Sequence, residues 1–596
     1  MADSPEKDSE GVIKLSIYSD GTRLEDTVQV VNVQVEKAVN LIPVARIVVL
    51  DGDMPSQDFP LSNADSFKPG KAIKIAAGYK DQEETIFEGI VVKHNLKISG
   101  ENYSRLHIEC RDAAVAMTVG RKNANYVDSK DSDVFSALIG NVSSLTADVT
   151  DTDTEHGELV QYYCSDWDFL LSRAEVSGSL VIVDDAKVTV APPDVDSSAV
   201  LAVGYGIDLM EFHAEIDARN QYSQVSGACW DPSSQEVVEQ VVGTESLNEQ
   251  GNLSSSDLAD VLGLSSFNLQ TPVTMESTAL KEWAHSQQVK SALSRITGRM
   301  RFQGSAKAKP GTLIEVSGVG ERFNGDVFVS AVAHEIVDGN WTTDVEFGMS
   351  PGWFAERRDL TAPPASGLVP GVEGLQIGVV TKLDEDPDSE NRIQVKVPIL
   401  QAETEGVWAR LATFYASGEF GNFFIPEIGD EVILGYLNND PAHPIVLGSV
   451  YSSSKAPAYS LTAENYLKAI VTKSKLTLEF DDENKVTTIV TPAGNKIVLS
   501  DDAESILIQD QTDNKVELSS SGIVLDSPKD ISITATGKIS LSSTGEMSLS
   551  SSADLKASGL NIEASADVGM TAKGGASAEV SAGGNTTVKG AMVMIN

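Results

Sequence analysis

Residues Ile531 to Asn596 carry apolar side chains at a spacing of about eight, set in a background of Ser, Gly, Ala and Asn. Ile531 and Ile533 are followed by Ile539 and Leu541, then Met547 and Leu549, then Leu555. The count slips by one at Ile562 and resumes with Met570, Val580 and Val588. In a strand, an apolar-x-apolar pair puts both side chains on one face and the intervening Ser, Thr or Lys on the other. Gly537, Gly545 and Gly584 close units at positions where the chain bends at little cost. So few apolar residues per strand cannot enclose a core from one chain, and the repeat therefore predicts that several copies supply the missing walls. A disordered linker of the same composition would not hold this register. Gly574-Gly575 and Gly583-Gly584 lack the Gly-x-Asp continuation of a calcium-binding nonapeptide solenoid, which excludes that reading.

Composition supports a thin, ribbed construction at this end. Only Tyr459, Tyr466 and Phe480 are aromatic from Ser452 onward. At 596 residues the chain is too long for one core. Its net charge of −42 argues against nucleic-acid or anionic-membrane partners. Cys110, Cys164 and Cys229 are odd in number and widely spaced, which predicts buried structural thiols and neither a zinc site nor a disulfide framework. The polar, charged start, Met1 to Gly11, predicts synthesis in the cytoplasm without a signal peptide, and no apolar run is long enough for a helical membrane span.

Alternating strands punctuated by turn residues run from Gly11 to about Arg111 and suggest a barrel or sandwich. Helices are expected from Asp133, capped by Asp131 or Ser132, over WDFLLSRAEVSG with Asp166 as cap, and around Leu280 to Ser294. Ser233 to Asn252 reads as a polar connection. The Pro/Gly segment Thr361 to Gly374 is a hinge. After it, LQIGVVTKL, NRIQVKVPIL, GVWARLAT, FFIPEIGDEVILGYL and PIVLGSVY read as the five strands of a small OB-like barrel. A softer boundary, Ser452 to Tyr459, precedes further alternating strands that lead into the octads.

Phe423 to Tyr451, with the upstream loop Asp384 to Pro398, resembles the OB domain of the VgrG spike family, related to phage baseplate hub and spike proteins. Val39 to Asp53 and Gln161 to Gly178 resemble the same family's hub segments. The resemblance implies a mainly β homotrimer: hub barrel subdomains with helical insertions over residues 1–365, an OB barrel over 366–455 and a three-chain intertwined β-helix needle over 456–596. It also implies docking of the hub on a hexameric inner tube, baseplate partners, possible cargo effectors and a PAAR-type cap at the needle's point. The apolar ending Ala591, Met592, Val593, Met594, Ile595 and Asn596 is the expected seat for that cap.

Catalytic and metal-binding signatures are weighed against this. His334-Glu335 lacks the second histidine of a zinc-protease helix, since position 338 is Asp and the following residue Gly339. His107 and Cys110 lie three apart in a strand pattern, on opposite faces. The carboxylates of Asp384 to Glu390 fit a solvated hairpin better than a calcium loop. All seven histidines lie at or before His443, so no histidine-bound iron is expected at the point. The expectation is a non-enzymatic trimeric spike with no cofactor or metal, carried out of the cell in an injection particle and meeting the target membrane only in puncture. The alternatives are a cell-wall or glycan hydrolase of a phage-like tail, which the short Ser452 to Tyr459 hinge leaves little room for, and a sugar-binding adhesin, which the aromatic-poor tail disfavours.

Overall fold

The computed structural model describes residues 2–5, 7, 11–80, 82–100, 104–400 and 405–595. The chain divides into two compact units, Met1–Val450 and Tyr451–Asn596.

In the first unit, the N-terminal β pattern forms a sheet of 13 strands that continues into the later strands of the unit. Alternation sets its register: Val33 faces Ile47, which faces Ile108, and Val35 faces Ala45, which faces Cys110, all buried on one side. These residues pack with Ile75, Phe87 and Trp341 in one core. The strand Val30–Ala38 also pairs with Gly325–Val337, which carries the sheet over to a second core of Met300, Phe302, Val329, Val345 and Phe347. Cys110 and Cys229 are buried and Cys164 is half-buried, so two of the three thiols occupy the expected setting. Burial pushes the Cys110 thiol up to about 12, which leaves it inert. His107 lies across the strand from it, as alternation requires.

The helices fall where the patterns lie, but their caps differ from expectation. The first spans Asp131–Gly140, with Lys130 at the cap position and its N–H donating to Asp133. The second spans Asp166–Val176 and is capped by Ser165, whose hydroxyl accepts from the Asp168 N–H; Asp166 is the first helical residue. Asp131 instead receives two guanidinium nitrogens of Arg173, each at 2.8 Å, and His156 Nε2 at 2.9 Å. Burial alone would raise the Asp131 carboxyl; the bonds from His156 and Arg173 outweigh it and hold the group below its usual range. Ser233 to Asn252 is not merely a connection, since Glu236–Gly243 forms a strand paired with Gln224–Asp231. A further helix, Ser255–Leu262, begins with a reciprocal Ser254 and Asp257 capping box. The long helix spans Ser277–Leu293.

Five strands, Gln376–Lys382, Ile393–Lys396, Val407–Leu411, Glu431–Tyr436 and Pro444–Ser449, close the predicted barrel around Val380, Val395, Ala409, Leu434 and Val446. The fourth strand starts only at Glu431, so the apolar run Phe423 to Ile428 lies outside it. The acidic loop folds around its own Asp386. That carboxylate accepts from the N–H groups of Asp388, Glu390 and Arg392 and from the Arg392 guanidinium, which holds it well below the carboxylate range.

In the second unit, strands from Leu467–Val471 to Gly522–Asp526 form a seven-stranded antiparallel meander in simple sequence order. Turns on one side recur at 472–476, 491–495 and 510–514, and in each the first N–H donates to the fifth carbonyl, at 2.9, 2.9 and 3.0 Å. Asn495 and Asn514 reinforce two of them. Each donates its amide back to the first residue of its turn, Thr491 Oγ1 at 3.0 Å and Asp510 Oδ2 at 2.7 Å. Their amide oxygens accept from the next segment along, from the Gln511 N–H at 3.1 Å and from the Ser527 hydroxyl. This ladder of asparagines ties successive hairpins together at one edge.

Two outcomes follow from these contacts. Asn514→Ala is expected to cost about 1–2 kcal/mol per chain, because the donor and acceptor it leaves are partly shielded; thermal melts and hydrogen exchange over 467–526 check this. In the first unit, His334 is buried, 3.0 Å from Thr343 Oγ1, and burial, with Lys37 nearby, lowers its imidazole to about 3. Below its ordinary value of 6.5 the unfolded chain binds a proton that the folded chain refuses, so this contribution is intact above 6.5 and lost as pH falls toward 3. The drop in melting temperature between pH 7 and pH 5 should accordingly be smaller in His334→Gln than in the native chain.

Candidate functional site

The seven-stranded sheet gathers most of its isoleucines on one face. Cross-strand register places Leu478 beside Ile489, Ile489 beside Ile497, Ile497 beside Ile508 and Ile508 beside Val516. A parallel row runs Leu499, Ile506 and Leu518. Both rows lie on one face because the period of a strand is two. The other face is mixed: it carries Glu479, Thr488, Lys496, Lys515 and Glu517 together with Val486, Val490, Val498 and Leu507. Those long polar side chains lie over their own sheet and are half-buried. The apolar face has no such cover: Ile489, Ile497, Leu499, Ile506, Ile508 and Leu518 are 38–48% exposed. At about 4.8 Å between strands, seven strands present an apolar strip on the order of 30 Å long. A single sheet with such a face needs another apolar surface against it.

Residues 527–595 extend this situation to the backbone. Among the described residues no strand ladder forms within the chain there. Bends recur at 536–537, 544–545, 552–553, 567–568, 575–576 and 583–584, which keeps the eight-residue period through the slip at Ile562. Gly537, Gly545 and Gly584 each sit in a bend. At Gly574 a Cβ would collide with the Ser577 carbonyl, so that corner requires glycine. The predicted core side chains Ile531, Ile533, Ile539, Leu541, Met547, Leu549, Leu555, Ile562, Met570, Val580 and Val588 are all more than half exposed in the isolated chain. Ala591, Met592, Val593, Met594 and Ile595 are exposed as well, and Asn596 lies outside the described residues. An extended backbone with neither in-chain ladders nor covered apolar side chains is complementary to further copies of itself.

The sequence patterns locate the octads, but they do not single out the apolar face of the 467–526 meander. Its signal is present as I-x-L and I-x-I in NKIVLS and ESILIQD. Possible reactive groups fall elsewhere and are committed to structure. His334 points into the core while Glu335, next along the strand, lies on the other face. Among the described residues no group of three or more His, Cys, Asp or Glu side chains is arranged to hold a metal ion, and no helix is long and apolar enough to cross a membrane.

Comparison with known proteins follows the same division. The profile of the Alg8 N-terminal domain matches residues 9–338. That of the type VI secretion system/phage-baseplate injector OB domain matches 376–451, and that of the phage baseplate V C-terminal trimerisation domain matches 486–545. Type VI secretion system spike protein VgrG2a of Pseudomonas aeruginosa is 33% identical over 141 residues, which cover 22% of this chain and 17% of the relative. The actin cross-linking toxin VgrG1 of Vibrio cholerae is 30% identical over 132 residues, 21% of this chain and 11% of the relative. The matched part thus spans less than a fifth of these relatives' length. Among solved structures, an E. coli type VI secretion component described as similar to the T4 tail proteins gp27 and gp5 aligns over 73% of this chain and 99% of its own, at 11% identity and a TM-score of 0.37. The Francisella PdpA-VgrG complex aligns over 86% of this chain and 80% of its own, at 10% identity and a TM-score of 0.37.

Placing a charge in the apolar rows should prevent association. Ile508→Asp is expected to shift the purified chain from oligomer to monomer in native mass measurement, because a carboxylate would be buried unpaired. Thr488→Asp, on the opposite face, should leave the oligomer intact.

Proposed function

The chain belongs to the Alg8 N-terminal domain family over residues 9–338 and, through its injector OB and trimerisation domains, to the spike proteins of type VI secretion and phage baseplates; on that premise we propose that three copies form the puncturing spike of a contractile injection machine. The hub region joins the spike to a hexameric inner tube and the baseplate. The octad segment forms an interwoven three-chain needle, and residues 591–596 seat a PAAR-type cap. The work of the protein is mechanical, with no chemical step and no cofactor, and it leaves the cell as part of the particle.

The observation that carries this reading is the state of residues 467–595 in a single chain: one continuous apolar face, then regularly bent octads whose apolar side chains and backbone have no ladder of their own. Three copies turned inward would bury the apolar rows along a common axis and leave Ser, Thr, Lys and Glu outside. Each octad would add a strand to a neighbouring chain, so that bending the assembly would break many hydrogen bonds at once. Such a body transmits thrust. Three endings with Met592, Met594 and Ile595 exposed would form a blunt apolar platform, the kind of surface a separate cap covers.

A hydrolytic spike has less to recommend it. Residues 450–466, between the last barrel strand and the first strand of the meander, are too few to hold an inserted catalytic domain. An adhesive needle would want exposed aromatic side chains for sugar stacking, and the octads carry none.

Deleting Gly522–Asn596 is expected to abolish puncture and binding of the cap protein while the hub and barrel keep their native melting transition. The full chain should behave as a trimer in native mass measurement. A monomeric full chain, or a truncated chain that still punctures, would overturn the reading.

A further inference from the structure

A small sheet in the first unit carries a free edge. Gln224–Asp231 lies at its centre, with Glu236–Gly243 antiparallel on one side and Phe267–Thr271 parallel on the other. One face of this sheet is covered: Val225 and Cys229 are buried, and a Cβ at Gly227 would lie 3.0 Å from the Leu280 carbonyl of the helix Ser277–Leu293. The opposite face sets Trp230 beside Val237 and Ser226 beside Val241, with Glu239 between the two valines. Trp230, Val237 and Val241 are 42%, 65% and 48% exposed. Among the described residues Glu236–Gly243 forms a ladder only with Gln224–Asp231, so the N–H and C=O groups on its other side face outward without a strand partner.

Sheet edges are ordinarily blunted by short length, Pro, Lys, a bulge or a covering element, which keeps foreign strands away. This edge is eight residues long, contains neither Pro nor Lys, and holds its register without a bulge from end to end. Along its open face it reads apolar, acidic, apolar at Val237, Glu239 and Val241. Glu239 accepts a hydrogen bond from the Ser226 hydroxyl and has no ion-pair partner among the described residues. The charge is also regional. Residues 231–280 contain eight Asp and Glu and no Lys, Arg or His, so the field around the edge has one sign.

We propose that Glu236–Gly243 is a docking edge for a cationic extended segment of a different protein, which joins the sheet as a fourth strand. Backbone ladder bonds supply affinity in such strand addition, and direct cross-strand pairs supply specificity. The register defines the segment: apolar residues opposite Val237 and Val241, and Lys or Arg midway, opposite Glu239. An acidic residue midway would meet a like charge, and the field of residues 231–280 repels other copies of this acidic chain while it draws cationic segments in. The inference concerns the first unit alone and stands apart from the needle.

Two synthetic peptides of equal composition and charge test this on the full-length protein. One, Lys-Thr-Val-Thr-Lys-Thr-Val-Thr-Lys amide, carries the apolar-x-Lys-x-apolar pattern; the other, Lys-Thr-Lys-Thr-Val-Thr-Val-Thr-Lys amide, carries it in no register. The patterned peptide should bind at least about tenfold more tightly by fluorescence anisotropy, and amide exchange over 236–243 should slow when it is bound. Glu239→Lys, checked for its native melting transition, should abolish the preference, and Val237→Lys should weaken the patterned peptide by a like factor. Equal binding of the two peptides, binding of neither, or a preference that survives Glu239→Lys would overturn the proposal. Exchange over 236–243 that is already as slow in the peptide-free protein would overturn it too, because another copy would then occupy the edge.

Discussion

Strand alternation without an opposing layer governs this protein. In the meander and in the octads, apolar residues two apart along the chain lie on a surface that the chain itself leaves uncovered. Apolar surface returns about 25 cal/mol per Å² only when water leaves it, and extended backbone is stable only when its N–H and C=O groups are paired. Both conditions fail for residues 527–595 of a lone chain, and both are met when identical chains share the strip. On the proposed reading the demand for copies lies in the covalent sequence, and oligomer formation and folding of this segment would be one event.

The first unit obeys the opposite rule. Its sheet, helices and barrel bury Trp341, Phe87, Phe302, Phe135 and Leu434 within one chain. Its buried charges are partnered in the same chain: Asp131 by Arg173 and His156, and Lys37 by Asp184 and Asp185. Breaking either set would strand a charge in a low-dielectric interior, which is more costly than the pair is stabilising. The first network joins the helices Asp131–Gly140 and Asp166–Val176 to one another, and the second holds the turn at Asp184 and Asp185 against the sheet strand Val30–Ala38. The cores of this unit thus close within one chain.

How much was legible in the sequence follows from where information is local. The five barrel strands could be read because each alternates and each is bounded by Pro, Gly or Asp. The octads could be read because their period survives composition. Helix caps were misplaced by a residue: at 165–168 both Ser and Asp are good caps, and the choice falls to Ser165 because Asp166 is drawn into bonds with Lys122 and Gln161. The strand Glu236–Gly243 was hidden because its valines come in pairs, as V-V-E-Q-V-V, and do not alternate, on a strand at the sheet's edge. FFIPEI at Phe423 read as the start of a buried strand, yet Pro426 and the turn at Gly429 keep it out of the ladder, and hydrophobicity alone does not tell a core strand from an exposed apolar run. The apolar face of the meander needed register, which no single strand contains.

These two rules together explain why a mechanical part is built this way. A spike must be stiff along its axis, yet each copy must stay soluble until it meets its partners. The charge of −42 and the self-contained first unit provide the solubility. In the proposed trimer, stiffness would come from a segment with little structure to lose before assembly and a dense hydrogen-bond lattice afterwards. The asparagine ladder at the edge of the meander is the transition between the regimes: Asn495 and Asn514 lock hairpins within one chain, so the seven strands stand as a preformed template. From that template, chains already aligned by their apolar faces can begin to interweave in register, and a slip of one residue would turn every apolar side chain outward.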